Sequence, residues 1–566
     1  MMRVRGPYKM TRIGAVCSAA FLLLSACSGS GDESEAPPET SAPPPASSAM
    51  TTEEASRFLS QATFGPSEDD IDALAASGVS AWLKAEFDKP QESILQDVLI
   101  AEASGVDVGP DALAEAFWTR AILSDDQLRQ RVGYSLSQIF VASFTDSQLA
   151  DHPVAMANYM DIMSAGAFGN FRQTLENVTY SPAMAIFLTY LQNQKADEEG
   201  EVVPDENYAR EVMQLFTIGL LELEPDGEVR LDGSGDPIET YTNDDVTELA
   251  KVFTGLSWAE RGYFLGDAQT LESEYLPLVM FEEQHSPKAK SFLGTTIPPN
   301  TPGDQSIAIA LDALYNHPNT PPFISRQLIQ RLVTSNPSRG YVGRVAAAFR
   351  RGRFELPDGS RVGNGARGDM RAVVAAILLD PEARDPDNMT DPNFGKLREP
   401  VLRFTHWARA FGVDETDTDG AEILRNTSAP SRLAQQAYRS PSVFNFYRPG
   451  FVLPGSETAA AGLVAPELQI TTGSSITGYA NFMEGFILQN VSDETYVPDY
   501  SAEIALADDA AALVDHLDRI LTYGTLRDES RSRIIQAVNS IQGDQENRVE
   551  AAILMMMTSA DYIVQR

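Results

Sequence analysis

From Thr51 onward, apolar residues recur at the spacing of an α-helix, and this period constrains the fold more than any other feature. Val132, Leu136, Ile139 and Phe140 stand at i, i+4, i+7 and i+8, and Tyr208, Val212, Leu215 and Phe216 repeat the pattern. Val246, Leu249 and Phe253 trace another stripe, as do Val401, Thr405 and Ala408. Such spacings put residues on one helix face, and faces of this kind are buried against one another. Boundaries are legible too. Thr52-Glu53-Glu54 reads as a cap and acidic first turn, Gly65-Pro66 stops that helix, and Ser67 caps the next. One region departs: between Leu223 and Tyr241, alternation around Pro225-Asp226-Gly227 predicts a small β-hairpin. Residues 260–305 and 412–475, rich in Gly, Pro, Ser and Thr, predict two long loops. No internal repeat and no linker after residue 50 stand out. The expected fold is therefore all-α: one large domain over 51–566, of one or two lobes, with a hairpin insertion and long ordered loops.

Composition narrows the function classes. With 43% apolar residues the chain can bury a large core. Its 2 cysteines exclude a disulfide scaffold and a multi-cysteine zinc site. The 80 acidic against 43 basic residues argue against nucleic-acid binding, which runs on Lys/Arg–phosphate contacts.

The N-terminus reads as an address. Arg3, Arg5, Lys9 and Arg12 precede an apolar stretch from Ile13 to Leu24, too short to span a bilayer. Leu24-Ser25-Ala26-Cys27 then resembles a bacterial lipobox. The expectation is a lipoprotein signal peptide over 1–26 and acylation at Cys27, followed by a flexible tether to residue 50. Removing the signal leaves 39 basic against 80 acidic side chains, a net −41. A body this negative is repelled by anionic lipid, so acyl chains would have to hold it on the membrane. Ser28 after the cysteine favours the outer membrane by resemblance to the lipoprotein sorting rule.

Catalytic motifs are sparse. There is no Gly-x-Ser-x-Gly elbow, no His-Glu-x-x-His and no P-loop. The five histidines, His152, His285, His317, His406 and His516, lie too far apart in sequence for a local metal motif. Asp232-Gly-Ser-Gly-Asp236 spaces oxygens as calcium loops do but lacks the later Glu, and reads as a hairpin tip. No metal and no cofactor is assigned.

Three segments carry the candidate site. In Asn207-Tyr208-Ala209-Arg210-Glu211, Glu211 falls about 60° from the centre of the apolar stripe, so a carboxylate sits at the edge of a buried face. It is either a structural ion pair or an acid/base group, with Asn207 and Arg210 beside it. In Lys396-Leu397-Arg398-Glu399-Pro400, Pro400 opens a helix and Glu399 stands at its positive end. Lys396 and Arg398 precede it, forming an anion site or an ion network. In the Pro-bounded loop 440–449, Asn445 and Tyr447 alternate with phenylalanines, either pinning the loop or offering an aromatic platform. His285, in the polar run from Glu282 to Lys288, is a further catalytic candidate.

Several stretches strongly resemble a bacterial family, DUF1800. They include RFLSQATFGPSEDDI near residue 57, LRQRVGYSLSQIF near 128 and NYAREVMQLFTIGL near 207. HPNTPPFISRQLIQRLV near 317, GKLREPVLRFTHW near 395 and SPSVFNFYRPG near 440 continue the match. The resemblance implies an exported, predominantly helical protein. It also implies a possible partner, since family members are often encoded beside an exported protein of the alkaline-phosphatase/sulfatase kind. It carries no reaction. The family often has His-Asp where this chain has His285-Ser286, which weakens any role that needs the Asp.

Two functional readings follow. The first is a lipid-anchored binding or assembly protein of the cell envelope, working with an exported partner or an envelope polymer. The second is an envelope hydrolase acting on polysaccharide or another polymer, with Glu211 as acid/base.

Overall fold

The computed structural model describes residues 50–106, 108–199, 201–415, 424–489 and 496–566. Cys27, the signal segment and the tether lie outside the described residues. The body from Met50 on forms one compact unit. It is predominantly helical, and its strands make only two-stranded sheets. The first helix, Thr52–Ala62, is capped by Thr51, one residue earlier than the sequence suggests, because the Thr51 hydroxyl reaches the Glu54 amide at 3.1 Å. Ser67 caps the helix Glu68–Ser77 in the same way.

The helix Gln127–Ser137 is buried along almost its whole length. It packs against Pro153–Gly166 and Thr320–Leu332. Gly133 makes the first of these crossings close: a Cβ there would meet the Ser164 Cα at 3.1 Å. A buried helix should be apolar all round. This one also carries Arg131, Tyr134 and Gln138, three residues and then four apart, and each must find partners inside the protein. The apolar interior falls into a large cluster and a smaller one. The smaller joins Phe58, Ile71 and Leu83 to Val374 on the helix Met370–Leu378.

The expected hairpin is two turns in series. Leu223 pairs with Val229 across the Pro225–Gly227 turn, and Leu231 pairs with Pro237 across Gly233–Gly235. Pro225, Pro237 and the glycines keep the pairing to isolated bridges. The Asp232 carboxylate accepts the amides of Ser234 at 2.7 Å and Asp236 at 3.0 Å, an ordinary turn role.

The 260–305 stretch is more regular than its composition suggests. It holds a short helix, Leu271–Tyr275, and a hairpin in which Lys290–Phe292 pairs with Thr295–Ile297. Leu293 and Gly294 turn it with φ of 48° and 73°. Within 412–475 the described residues hold the short strand Asp414–Glu415, short helices such as Glu457–Ala460 and the 3₁₀ turn Pro466–Ile470, and the start of the helix Gly473–Ile487. The strand Lys396–Leu397 pairs with Val564–Gln565 from the far end of the chain. That pairing is close: a Cβ on Gly395 would lie 2.3 Å from the Gln565 carbonyl oxygen.

Candidate functional site: a buried ionic cluster behind a cleft

The strand Lys396–Leu397 runs into the helix Pro400–Ala410, which Glu399 precedes. Both charged side chains point inward. Glu399 is 0% exposed, and its Oε2 accepts from the Tyr134 hydroxyl at 3.0 Å, Gln138 Nε2 at 2.6 Å and Gln435 Nε2 at 2.7 Å. Lys396 Nζ lies 3.6 Å from Glu399 Oε1 and 3.1 Å from Glu467 Oε1, and donates to the Arg331 carbonyl at 2.9 Å. Arg131, also 0% exposed, donates to the same carbonyl at 2.6 Å and to Ser135 Oγ at 2.7 Å. Arg331 donates to the carbonyls of Gln327 and Gln138, both at 2.9 Å. Three cations thus enclose two carboxylates.

The two carboxylates differ. Burial works against charge on Glu399, but Lys396, Arg131 and Gln435 outweigh it and hold its carboxyl below the ordinary range. Burial raises Glu467, the neighbouring Glu399 charge adds to that, and Lys396 opposes it. Burial and the Glu399 charge push Tyr134 and Tyr447 well up, so both remain phenols. Lone buried charges would cost several kcal/mol each; here the hydrogen bonds and counter-charges offset much of that.

The loop 440–449 delivers Tyr447 into this cluster, buried beside Glu399, Glu467 and Arg331. Asn445, with φ of 60°, lines a small enclosed cavity with Tyr134, Gln138 and Phe446. Arg398 turns elsewhere. Its Nη1 lies 3.2 Å from His406 Nδ1 and its guanidinium stacks on Tyr562 at 4.3 Å. Burial, then the Arg398 charge, drive His406 well below its ordinary pKa, so the pair is cation against neutral imidazole.

Glu211 stands apart. It lies on the helix Asn207–Gln214, 6% exposed, and its Oε2 has no hydrogen-bond donor. Burial pushes its carboxyl up to about 7, against the pull of Arg210. Asn207 takes part in a cap with Asp205, and Arg210 reaches Glu206 at 3.4 Å and Asn243 at 3.2 Å. Among the described residues, no hydrogen bond or ion pair links Asn207, Arg210 or Glu211 to the 396–467 cluster. His285 is separate again: Nδ1 lies 2.9 Å from the Thr254 carbonyl and Nε2 3.2 Å from Ser306 Oγ. Both ring nitrogens are engaged, and burial lowers its pKa. The structure therefore joins Lys396, Glu399, Asn445 and Tyr447, and leaves Arg398, His285 and the 207–211 group outside.

An open cleft of about 940 Å³ lies on the other side of the same loop, lined by Asn426, Ser428, Ala434, Pro441, Phe446 and Ile470 among others. Its lining is mostly apolar, with hydroxyls from Thr145, Ser428, Thr472 and Ser475, the Asn426 amide, and Arg439 as its cation. The wall between cleft and cluster has left-handed backbone at three non-glycine residues, Ala434, Tyr438 and Asn445, with φ of 55°, 57° and 60°. Such conformations persist only where surroundings enforce them. Here Gln435 is tied to Glu399, Thr427 Oγ1 donates to the Gln435 carbonyl at 2.7 Å, and the Ser440 carbonyl accepts from Ser143 at 2.7 Å and Thr145 at 2.8 Å. Among the described residues, no group of three or more His, Cys, Asp and Glu is placed to hold a metal, and no helix is long and apolar enough to cross a membrane.

Fold and site together define a predominantly helical protein whose ionic cluster braces an open cleft. The family model described as "Protein of unknown function (DUF1800)" matches residues 57–564, and the chain belongs to that family. No curated protein and no solved structure matches it.

Proposed function

We propose that the protein is an exported, lipid-anchored binding or assembly protein of the cell envelope, and that the cleft walled by residues 426–475 is where it takes hold of an envelope polymer or an exported partner. The observation that carries the reading is the wall itself: left-handed backbone at Ala434, tied through Gln435 to the buried charge network, in a mostly apolar lining that also offers hydrogen-bonding groups. Rigid, pre-formed surfaces of this composition suit binding, because little ordering is required on contact. The N-terminal charge pattern and Leu24-Ser25-Ala26-Cys27 support export and an outer-membrane anchor. Ser428→Trp fills the cleft from a half-buried position in its lining. If the reading holds, soluble envelope oligosaccharides or peptides that raise the melting temperature of the parent protein leave this variant unmoved. If no such fragment acts on the parent, or the variant responds equally, the cleft is not the binding site. Labelling with a palmitate analogue, lost on Cys27→Ala, tests the anchor separately.

One observation favours a hydrolase as the second reading. Glu211 is a carboxyl with a donor-free oxygen and a pKa of about 7, the range an acid/base group needs near neutral pH. A Glu211→Gln variant that folds normally yet loses hydrolysis of an envelope polymer would favour it. Unchanged hydrolysis would remove it.

A further inference from the structure

Residues 339–371 invert the charge of the chain. They hold eight arginines, at 339, 344, 350, 351, 353, 361, 367 and 371, against the three acids Glu355, Asp358 and Asp369. The helix Arg339–Arg351 ends at Gly352, whose φ of 59° terminates it. The hairpin Phe354–Glu355 with Arg361–Val362 then folds the chain back, so that Gly365 N–H donates to the Gly352 carbonyl at 2.9 Å and Gly368 N–H to that of Phe349 at 2.8 Å. This knot brings the backbone that carries Arg350, Arg351 and Arg353 next to that of Arg367, and Arg371 follows in the first turn of the helix Met370–Leu378. Arg350, Arg351, Arg353 and Arg371 are exposed, and among the described residues their side chains have no hydrogen-bond or carboxylate partner. Arg367 donates to the Tyr315 carbonyl at 3.0 Å and lies over the Tyr315 ring.

The nearby acids are already taken. Glu355 pairs with Arg361 at 3.2 Å, Asp358 with Lys84 at 2.8 Å, and Asp312 with Arg172 at 2.7 Å. The Asp369 carboxylate caps the helix Met370–Leu378, accepting the Arg371 amide at 3.0 Å and the Asn364 amide at 2.9 Å. The arginines also repel one another: burial and then Arg351 lower the pKa of Arg350, and Arg350 contributes to lowering that of Arg367. In a chain with 80 acids, that repulsion persists although partners were abundant.

We infer that this arginine knot is a docking surface for the phosphate head groups of an anionic lipid membrane. Although the backbone between them is tightly packed at Gly352 and Gly368, Arg350, Arg351, Arg353 and Arg371 present exposed side chains. That suits a plane of phosphates, which guanidinium forks bind well. A protein partner is disfavoured, because interface cores are built on exposed apolar and aromatic side chains, and none of the exposed large apolar residues falls within 339–371. The acidic remainder does not forbid contact. At physiological ionic strength screening acts over about 8 Å, so the knot feels a membrane that the distant acids scarcely see.

The surface needs no acyl group, so it is tested without one. Full chain carrying Cys27→Ala is sedimented with vesicles of phosphatidylglycerol and phosphatidylcholine in equal parts, and with phosphatidylcholine alone. The expected result is binding to the first only, weakening as salt rises, and falling about fivefold for each of Arg350, Arg353 and Arg371 changed to Ala. The corresponding Lys variants retain binding, and Arg533→Ala leaves it unchanged. Absent binding to the anionic vesicles, equal binding to both, or an unaffected triple Ala variant of unchanged melting temperature overturns the inference. So does binding to soluble polyglutamate without binding to vesicles, which would assign the knot to an acidic protein.

Discussion

Gln435 donates its side-chain amide to Glu399 at 2.7 Å, while its other amide atom accepts the Val401 backbone N–H at 3.2 Å. One neutral side chain thus fastens the cleft wall to the start of the helix that carries the buried carboxylate. Because Ala434 and Tyr438 on either side hold left-handed backbone, this fastening sets the shape of the cleft.

Removing it should loosen the wall. Gln435→Leu is expected to destabilise the protein by about 1.5–3 kcal/mol, the range for a hydrogen bond to a charged group. Hydrogen exchange should accelerate over 434–447 more than in the helix Gln127–Ser137. Uniform acceleration, or none, would contradict the bracing role.

Lys396 lies between two carboxylates, so Lys396→Met leaves Glu399 and Glu467 facing each other without their shared cation. Breaking a buried ion pair from one side costs about 3–5 kcal/mol. Lys396→Met combined with Glu467→Gln should recover part of the loss, since it removes one of the stranded charges. Urea denaturation of the three proteins measures both effects.

Glu211 gives a pH-dependent test. Its folded pKa of about 7 exceeds the ordinary 4.5, so ionisation is disfavoured in the folded state. The stability linked to its proton is complete below 4.5 and is lost as pH rises through 7. Glu211→Gln should therefore be more stable than the parent at pH 8.5, by about 1–2 kcal/mol after discounting for solvent screening, and close to it at pH 4.5. A parent that is the more stable at pH 8.5 would mean that the carboxylate has a cationic partner.

His152 behaves differently in sign and cause. Its Nδ1 lies 3.6 Å from Glu274 and its Nε2 3.4 Å from Asp267, with Asp151 adjacent and the Trp258 ring at 5.1 Å. The nearby Glu274 carboxylate leads in raising its pKa above 6.5, against burial, with the charges of Asp267 and Asp151 adding. The imidazolium therefore stabilises fully below pH 6.5, and that contribution fades as pH climbs through the raised value. Substituting His152→Gln should cost more at pH 5.5 than at pH 9, read from denaturation midpoints. An equal cost at both would show that the ring contributes packing alone.

The sequence disclosed the helices because a 3.6-residue period survives over many turns. It disclosed Lys396, Glu399 and Tyr447 because charges against Pro400 and a Pro-bounded aromatic run are odd in an apolar setting. Their partners were missed. Arg131, Tyr134, Gln138, Gln435 and Glu467 come from segments far apart in the chain, and distance along a sequence hides convergence in space. A signal did exist: Arg131, Tyr134 and the C-cap Gln138 recur at helical spacing on one face, as do Gln327 and Arg331 on Thr320–Leu332. The hairpin at 290–297 was missed because its strands are three residues long, too short for alternation to register. Helical spacing puts Glu211 at the edge of a buried face, but no spacing rule says that its Oε2 finds no donor there.

The pairing of Lys396–Leu397 with Val564–Gln565, beside Arg57 Nε donating to the Arg566 carbonyl at 3.1 Å, makes the order of synthesis matter. The strand that steadies Lys396 arrives only after the helices between them have been made, and the first helix waits for the same segment. Such contacts between remote stretches slow folding. Until residues 564–566 emerge, a nascent chain would hold an unfinished charge network, a state a protease could attack.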